Sequence, residues 1–207
     1  HIYKDGDLVA KKGLGVNGHF RITLDRRAIK FEGSIHKYWN IKKQNGGVNY
    51  NQFGYLEFLE AVEFFHNEYQ IDPAYCRLTN VEYGMNVELE GFEDLVLQDF
   101  LRRNFLYERK SAKFPTVEDQ FSKPGIMLVY PYTQHKIKIY DKSLQNNLDS
   151  QVLRIEKKLT KNEKVVSVLN SRVLSDLTDH SSFISMYRDF KKTFESIVIA
   201  DSEVLPE

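Results

Sequence analysis

Two segments near the middle of the chain alternate so regularly between apolar and polar residues that they call for β-strands. In Lys136–Lys142, Ile137 and Ile139 fall on one face, with Lys136, Lys138, Tyr140 and Lys142 on the other. In Val152–Leu159, Leu153, Ile155 and Leu159 share a face, and Arg154, Glu156 and Lys158 take the opposite one. Strand side chains point alternately to the two sides of a sheet, so each segment offers one apolar side to a core. Paired as neighbours, the two strands set a lysine-flanked tyrosine beside a glutamate and an arginine. Such a polar surface has the groups needed to attack a phosphate.

The rest of the chain supplies further elements. Phe20–Leu24 and Ala28–Ile35 read as strands joined by a tight connection. The segment from Gly33 to Asn40 reads as part of a polar loop that runs through Gly46 and Gly47 and carries Tyr38, Trp39 and Tyr50. Phe53–Tyr69 has helical spacing and is followed by Pro73. In Leu78–Glu90, Val81, Tyr83, Met85, Val87 and Leu89 line one face, with Glu82, Gly84, Asn86, Glu88 and Glu90 on the other.

A short helix is expected over Phe92–Arg102. The basic stretch from Asn104 to Gly125, with Arg109, Lys110, Lys113 and Lys123, is either an irregular excursion or a β-ribbon. Ile126–Tyr130 is a strand, and Thr160 and Glu163 have the spacing of a capping box. A last helix is expected over Ser182–Ile199, its stripe made by Phe183, Tyr187, Phe190, Phe194 and Ile197. This order predicts an α+β fold, a mixed or antiparallel central sheet with helices mainly on one face. We read residues 1–207 as a single domain, and the opening at His1 as the mark of a fragment of a longer protein.

Composition narrows the function. Lys and Arg together equal Asp and Glu, 29 each, so any nucleic-acid surface has to be local. With 42% hydrophobic residues the chain can build a substantial core. One cysteine, Cys76, excludes an internal disulfide framework and fits a reducing compartment. No apolar run is long enough for a membrane helix, so a soluble cytoplasmic protein is expected. There is no P-loop and no G-x-S-x-G elbow. The histidines form no His-x-His pair and no zinc spacing.

The chemistry then rests on the polar strand faces. Glu82, Glu156 and Tyr140 come from three strands, and converging carboxylates are hard oxygen ligands suited to Mg²⁺ or Mn²⁺. A bound metal polarises a phosphodiester, and a neighbouring tyrosine can attack it. Flanking lysines are expected to favour the phenolate and to hold a DNA backbone. The same alternation also describes an ordinary solvated sheet face, and Tyr-x-Lys alone is a weak motif. Tyr38, Trp39 and Tyr50, interleaved with Lys37, Lys42 and Lys43, either stack bases of single-stranded DNA or pack beneath their own loop.

Four segments in order, G-S-I-H-K-Y-W-N followed by G-G-V-N-Y-N-Q-F, then N-V-E-Y-G-M-N-V-E-L, I-K-I-Y-D-K and V-L-R-I-E-K-K-L, resemble phage and plasmid replication initiation proteins. The nearest likeness is to the gene II/gene X replication proteins of filamentous phages, and a more distant one is to the Rep-trans plasmid initiators. The resemblance covers roughly residues 28–160. It implies a relaxase-like architecture and a rolling-circle initiator that nicks one strand at an origin through a covalent 5′-phosphotyrosyl link.

Carried over residue by residue, it makes Tyr140 the nucleophile and Lys142 its partner, with Glu82 and Glu156 as metal ligands. Gly46, Gly47 and Asn49 match a G-x-N segment, but Val48 stands where the phage proteins often have histidine. The third metal ligand therefore stays open between His36 and Asn49. Lys37, Trp39, Asn49, Lys136, Lys138 and Arg154 become DNA contacts, and Tyr130 and Tyr132 stay open as substitute nucleophiles. The partners it implies are origin DNA, single-stranded or supercoiled, and the host replication machinery in a bacterial cytoplasm, with no membrane. Two other readings use the same surface: a non-catalytic single-strand or origin-binding protein, and a metal-dependent hydrolytic nuclease.

Overall fold

The computed structural model describes residues 3–4, 7–8, 12–14, 20–25, 28–90, 96–119 and 125–200. Residues 91–95, where the helix expected from Phe92 was to begin, lie outside them, as does Lys123. The chain packs as two compact units, divided after Pro73. Among the described residues no helix is long and apolar enough to cross a membrane.

The first unit opens with short strands β1 (Tyr3–Lys4) and β2 (Asp7–Leu8), paired antiparallel. A meander follows, of β3 (Lys12–Leu14), β4 (Phe20–Asp25) and β5 (Ala28–Gly33). Helices α1 (Ile35–Lys42) and α2 (Tyr55–Tyr69) complete it.

Helix α1 replaces the first part of the expected loop. Gly33 and Gly46 flank it rather than interrupt it, and the Ser34 hydroxyl accepts from Lys37 N at 3.3 Å to cap its start. The buried positions are His36, Tyr38 and Asn40. Alternate burial hides the helical period, which is why the sequence pattern missed the helix. Around Tyr38 gathers an aromatic cluster in which Phe20 and Phe65 meet edge to face, 6.0 Å apart.

The second unit is built on a five-stranded antiparallel sheet. Its strands are β6 (Val81–Glu88), β8 (Thr116–Asp119), β9 (Ile126–Pro131), β10 (His135–Asp141) and β11 (Val152–Leu159). Their spatial order is β6-β11-β10-β9-β8. Helices α3 (Leu97–Asn104), α4 (Lys142–Asn146), α5 (Asn162–Leu169) and α6 (His180–Phe194) join it, with a ribbon of β7 (Phe105–Glu108) and β12 (Ile197–Ile199). The α+β expectation therefore holds, and its sheet is antiparallel.

Ile137, Ile139, Leu153 and Ile155 face a core closed by Leu97 and Leu101 of α3 and Phe190 of α6. Both of these helices lie on that face, as the apolar parity requires.

Three local expectations change. The strand expected to reach Lys142 ends at Asp141, which caps α4 by accepting from Leu144 N at 2.9 Å. The Thr160 capping box does not form. Thr160 N is spent on Gln134 O at 2.9 Å, and α5 starts from Lys161 without a side-chain cap. The last helix stops at Phe194 and yields to β12, leaving Tyr187 exposed and replacing it in the stripe with Met186.

Gly84 of β6 lies opposite Glu156 of β11 with no room for a side chain. A Cβ there would sit 2.1 Å from Ile155 O and 2.9 Å from Glu156 Cα, both fixed backbone atoms. Gly84→Ala is expected to lose roughly 1–3 kcal/mol by overpacking, read by denaturant melts. An unchanged midpoint would show that the strands part easily at this point.

Candidate active site

Strands β10 and β11 pair as neighbours, with Tyr140 opposite Arg154 and Lys138 opposite Glu156. Strand β6 extends the same surface, its Asn86 opposite Arg154 and Gly84 opposite Glu156. Directly opposed residues share a face of an antiparallel sheet, so the alternation read from the sequence is realised across three strands.

The side chains form one network. Tyr140 Oη donates to Glu156 Oε1 at 3.0 Å, and Arg154 Nε donates to the same oxygen at 3.0 Å. Lys138 Nζ bridges the two carboxylates, 3.0 Å from Glu82 Oε2 and 3.3 Å from Glu156 Oε2. Arg154 Nη1 reaches Asn86 Oδ1 at 3.0 Å.

This is not a solvated face at its centre: Tyr140 is 2% exposed and Glu156 3%. Met127 and Val129 pack beside Tyr140. Burial pushes the Tyr140 phenol up, the Glu156 carboxylate adds to that, and Arg154 opposes it. Burial would raise Glu156 too, but the Arg154 and Lys138 cations outweigh it and hold the carboxyl below its usual range. Desolvation alone would lower Lys138, yet Glu82 and Glu156 raise it.

The resting proton therefore stays on the phenol, and the expectation that the flanking lysines favour phenolate is reversed. Their charge is directed elsewhere. Lys136 is exposed. Lys142, at the start of α4, is buried and donates to Gln145 Oε1 at 2.6 Å. Its ammonium lies over the Tyr140 ring, 5.7 Å from the centroid.

His36, Lys37, Trp39 and Asn49 belong to the first unit. His36 Nε2 pairs with Asn51 Oδ1 at 2.7 Å, and its ring stacks on Phe53 at 4.5 Å. Trp39 Nε1 donates to Glu60 Oε2 at 2.7 Å, and Tyr38 Oη to Glu68 Oε2 at 2.7 Å. Tyr38 is fully buried within its own unit, and Trp39 is half-buried there. Lys37 is exposed and Asn49 half-buried. Among the described residues no group of three or more His, Cys, Asp and Glu side chains is placed to hold a metal.

Tyr130 is fully buried on the opposite, core-facing side of the sheet, and Tyr132 stacks on His135 at 4.3 Å. Neither shares the face of Tyr140. On that core face the sequence reading passed over Lys157. It has the parity of Leu153, Ile155 and Leu159, and a charge at a core position of an alternating strand is the signal that marks it. Its ammonium pairs with Asp189 of α6 and donates to Thr193 Oγ1 at 2.8 Å, while Tyr83 Oη donates to Asp189.

Gly13-Leu-Gly-Val-Asn-Gly18 also has the spacing of a dinucleotide-binding loop. It starts within β3, which pairs antiparallel with β4, whereas that fingerprint joins a strand to a helix; residues 15–19, where the turn would fall, lie outside the described residues.

No protein-family model matches this chain, and comparison with curated proteins and with solved structures gives no significant match.

Proposed function

We propose that this chain is the nicking domain of a rolling-circle replication initiator, acting on origin DNA in a bacterial cytoplasm alongside the host replication machinery. The observation that carries the reading is the Tyr140–Glu156 hydrogen bond at 3.0 Å, with two cations on the same carboxylate. A hydroxyl nucleophile, a base in contact with it and groups that orient the base are the parts covalent catalysis requires.

The Tyr140 oxygen bonds to phosphorus as its proton passes to Glu156. The bond from phosphorus to the 3′ oxygen breaks, and that oxygen leaves as a 3′-OH after taking a proton from water. Charge growing on the phosphate is met by Lys138 and Arg154, already aimed into this face. The phosphotyrosyl bond conserves the energy for rejoining, so no nucleotide cofactor enters.

Glu82 and Glu156 converge on a single cationic atom, Lys138 Nζ. Mg²⁺ or Mn²⁺ held by these two hard-oxygen carboxylates would take the place of the Lys138 ammonium between them and free it for the phosphate. When bound, the ion supplies Lewis-acid polarisation of the phosphate.

One observation favours a second reading. Tyr140 is 2% exposed, and both Glu156 oxygens already accept from donors. A network of that kind can also serve as the buried scaffold of a module that binds DNA without cutting it. The deciding experiment is to incubate the protein with labelled single-stranded origin DNA and Mn²⁺, then denature. A denaturation-resistant adduct supports nicking. Binding without adduct or cleavage favours the scaffold, and cleavage without adduct favours a hydrolytic nuclease.

A further inference from the structure

Within the basic stretch left undecided between excursion and ribbon, Tyr107–Phe114 turns back on itself through a bridge between Glu108 and Lys113 that the nicking chemistry does not use. Glu108 N donates to Lys113 O at 2.8 Å, and Lys113 N returns the bond to Glu108 O at 3.3 Å. These close a tight loop from Arg109 to Ala112, with Ala112 in the left-handed region at φ +48°. A non-glycine residue keeps that conformation only where its surroundings impose it.

Glu108 imposes it from beneath. Its buried carboxylate accepts from Lys110 N at 3.1 Å, Ser111 N at 3.0 Å, Ser111 Oγ at 2.8 Å and Tyr132 Oη at 3.3 Å. Burial would raise this carboxyl, but hydrogen bonds from Ser111, Ser196 and the Lys110 and Ser111 backbone outweigh it and hold it down at about 2. Lys113 extends over the Tyr132 ring at 5.0 Å, and Arg109 N donates to Ser196 O at 2.8 Å.

The one acid of the loop is thus turned inward, and its charge is met by donors. Arg109 and Lys110 are exposed. Beside them Phe114 is 68% exposed, its ring 5.8 Å from that of Tyr107. In a chain with 29 positive and 29 negative residues, this is a local concentration of positive charge beside an uncovered aromatic face.

We infer that the Tyr107–Phe114 hairpin is a contact for single-stranded nucleic acid, with Phe114 stacking on a base while Arg109 and Lys110 hold the adjoining phosphates. Charge complementarity selects a polyanion. The exposed ring selects a single strand, because bases of a duplex are already stacked on one another. The clamp by Glu108 sets the loop before binding, so little ordering is required on association. The inference rests on the nucleic-acid part of the proposed function, and is independent of the nicking step.

The test is fluorescence anisotropy of the whole chain with labelled oligothymidylate over a range of salt concentrations. Phe114→Leu is expected to weaken binding by about 5- to 150-fold without changing the salt slope, and Phe114→Trp to restore it. The double change Arg109→Ala, Lys110→Ala is expected to reduce the slope of log K against log salt by about 1.4.

Wild-type affinity in Phe114→Leu, or an unchanged slope in the double variant, overturns the inference. Either result alongside an adduct at Tyr140 sinks the hairpin alone. Loss of affinity in the hairpin variants, with no adduct from any form, upholds the hairpin and sinks the nicking reading. A wild-type chain with no affinity for the oligonucleotide sinks both. Thermal melts matching the wild type confirm that the variants fold.

Discussion

Tyr140→Phe is expected to abolish the protein–DNA adduct completely while leaving the fold and DNA affinity close to those of the wild type. The change removes one oxygen, which is both the atom that would bond to phosphorus and the donor at 3.0 Å to Glu156. The ring stays in its packing with Met127 and Val129. Glu156 keeps Arg154 and Lys138 as partners, so the stability lost is that of one hydrogen bond, about 0.5–1.5 kcal/mol.

Catalysis and stability therefore separate in this variant. Glu156→Gln serves as the companion: it keeps the shape and one acceptor but is a far weaker base, so adduct formation is expected to fall steeply. An adduct that survives in Tyr140→Phe assigns the nucleophile to another residue. Cleavage that survives without adduct, but is lost in Glu82→Ala, assigns hydrolysis by metal-activated water.

The largest effect on stability is expected from Asp189→Ala. Lys157 is almost fully buried, and burial pulls its ammonium down, with Asp189 restoring it only in part. On the other side of the pair, burial would raise the Asp189 carboxyl, but Lys157 and Tyr83 hold it below its ordinary value of 3.8. Lys157 and Tyr83 both contact the Asp189 carboxylate directly, which keeps it ionised opposite the ammonium.

Removing that carboxylate leaves a buried ammonium without its counter-ion, a change worth about 3–5 kcal/mol. Replacing the group together, as Tyr83→Phe, Lys157→Met and Asp189→Leu, is expected to recover most of the loss. Denaturant melts of both variants decide it, and a single variant within about 0.5 kcal/mol of wild type would show that water reaches Lys157.

The pH dependence has a definite sign. A carboxyl depressed by folding adds stability that is complete above 3.8 and lost as pH falls through its folded-state value. Wild type is therefore expected to lose stability on acidification below 3.8, and Asp189→Ala to lose less over the same range.

Much of the second unit was legible in the sequence. Strict alternation in Lys136–Lys142 and Val152–Leu159 placed Tyr140, Arg154 and Glu156 on one face, and the strands do pair as antiparallel neighbours. Period-two patterns survive translation into structure because a one-residue slip would turn the whole apolar set away from the core. Less legible were elements whose burial breaks the expected period, such as α1 with its alternate buried positions, and α4, whose cap Asp141 looks like one more strand residue.

Parity along the strands is a property of the chain itself, and it settled which residues look toward the core and which toward the polar side. Whether that polar side is wet was decided only by tertiary packing. Tyr140 and Glu156 carry residue types that alternation assigns to solvent, yet both are buried, and desolvation rather than the flanking lysines sets the phenol. The same holds at Lys157 and Glu108. A buried charge is stable only with partners; Lys157 takes Asp189 from a distant point in the chain, and Glu108 adds Tyr132 to its neighbours Lys110 and Ser111. Local sequence spacing does not record the distant partners.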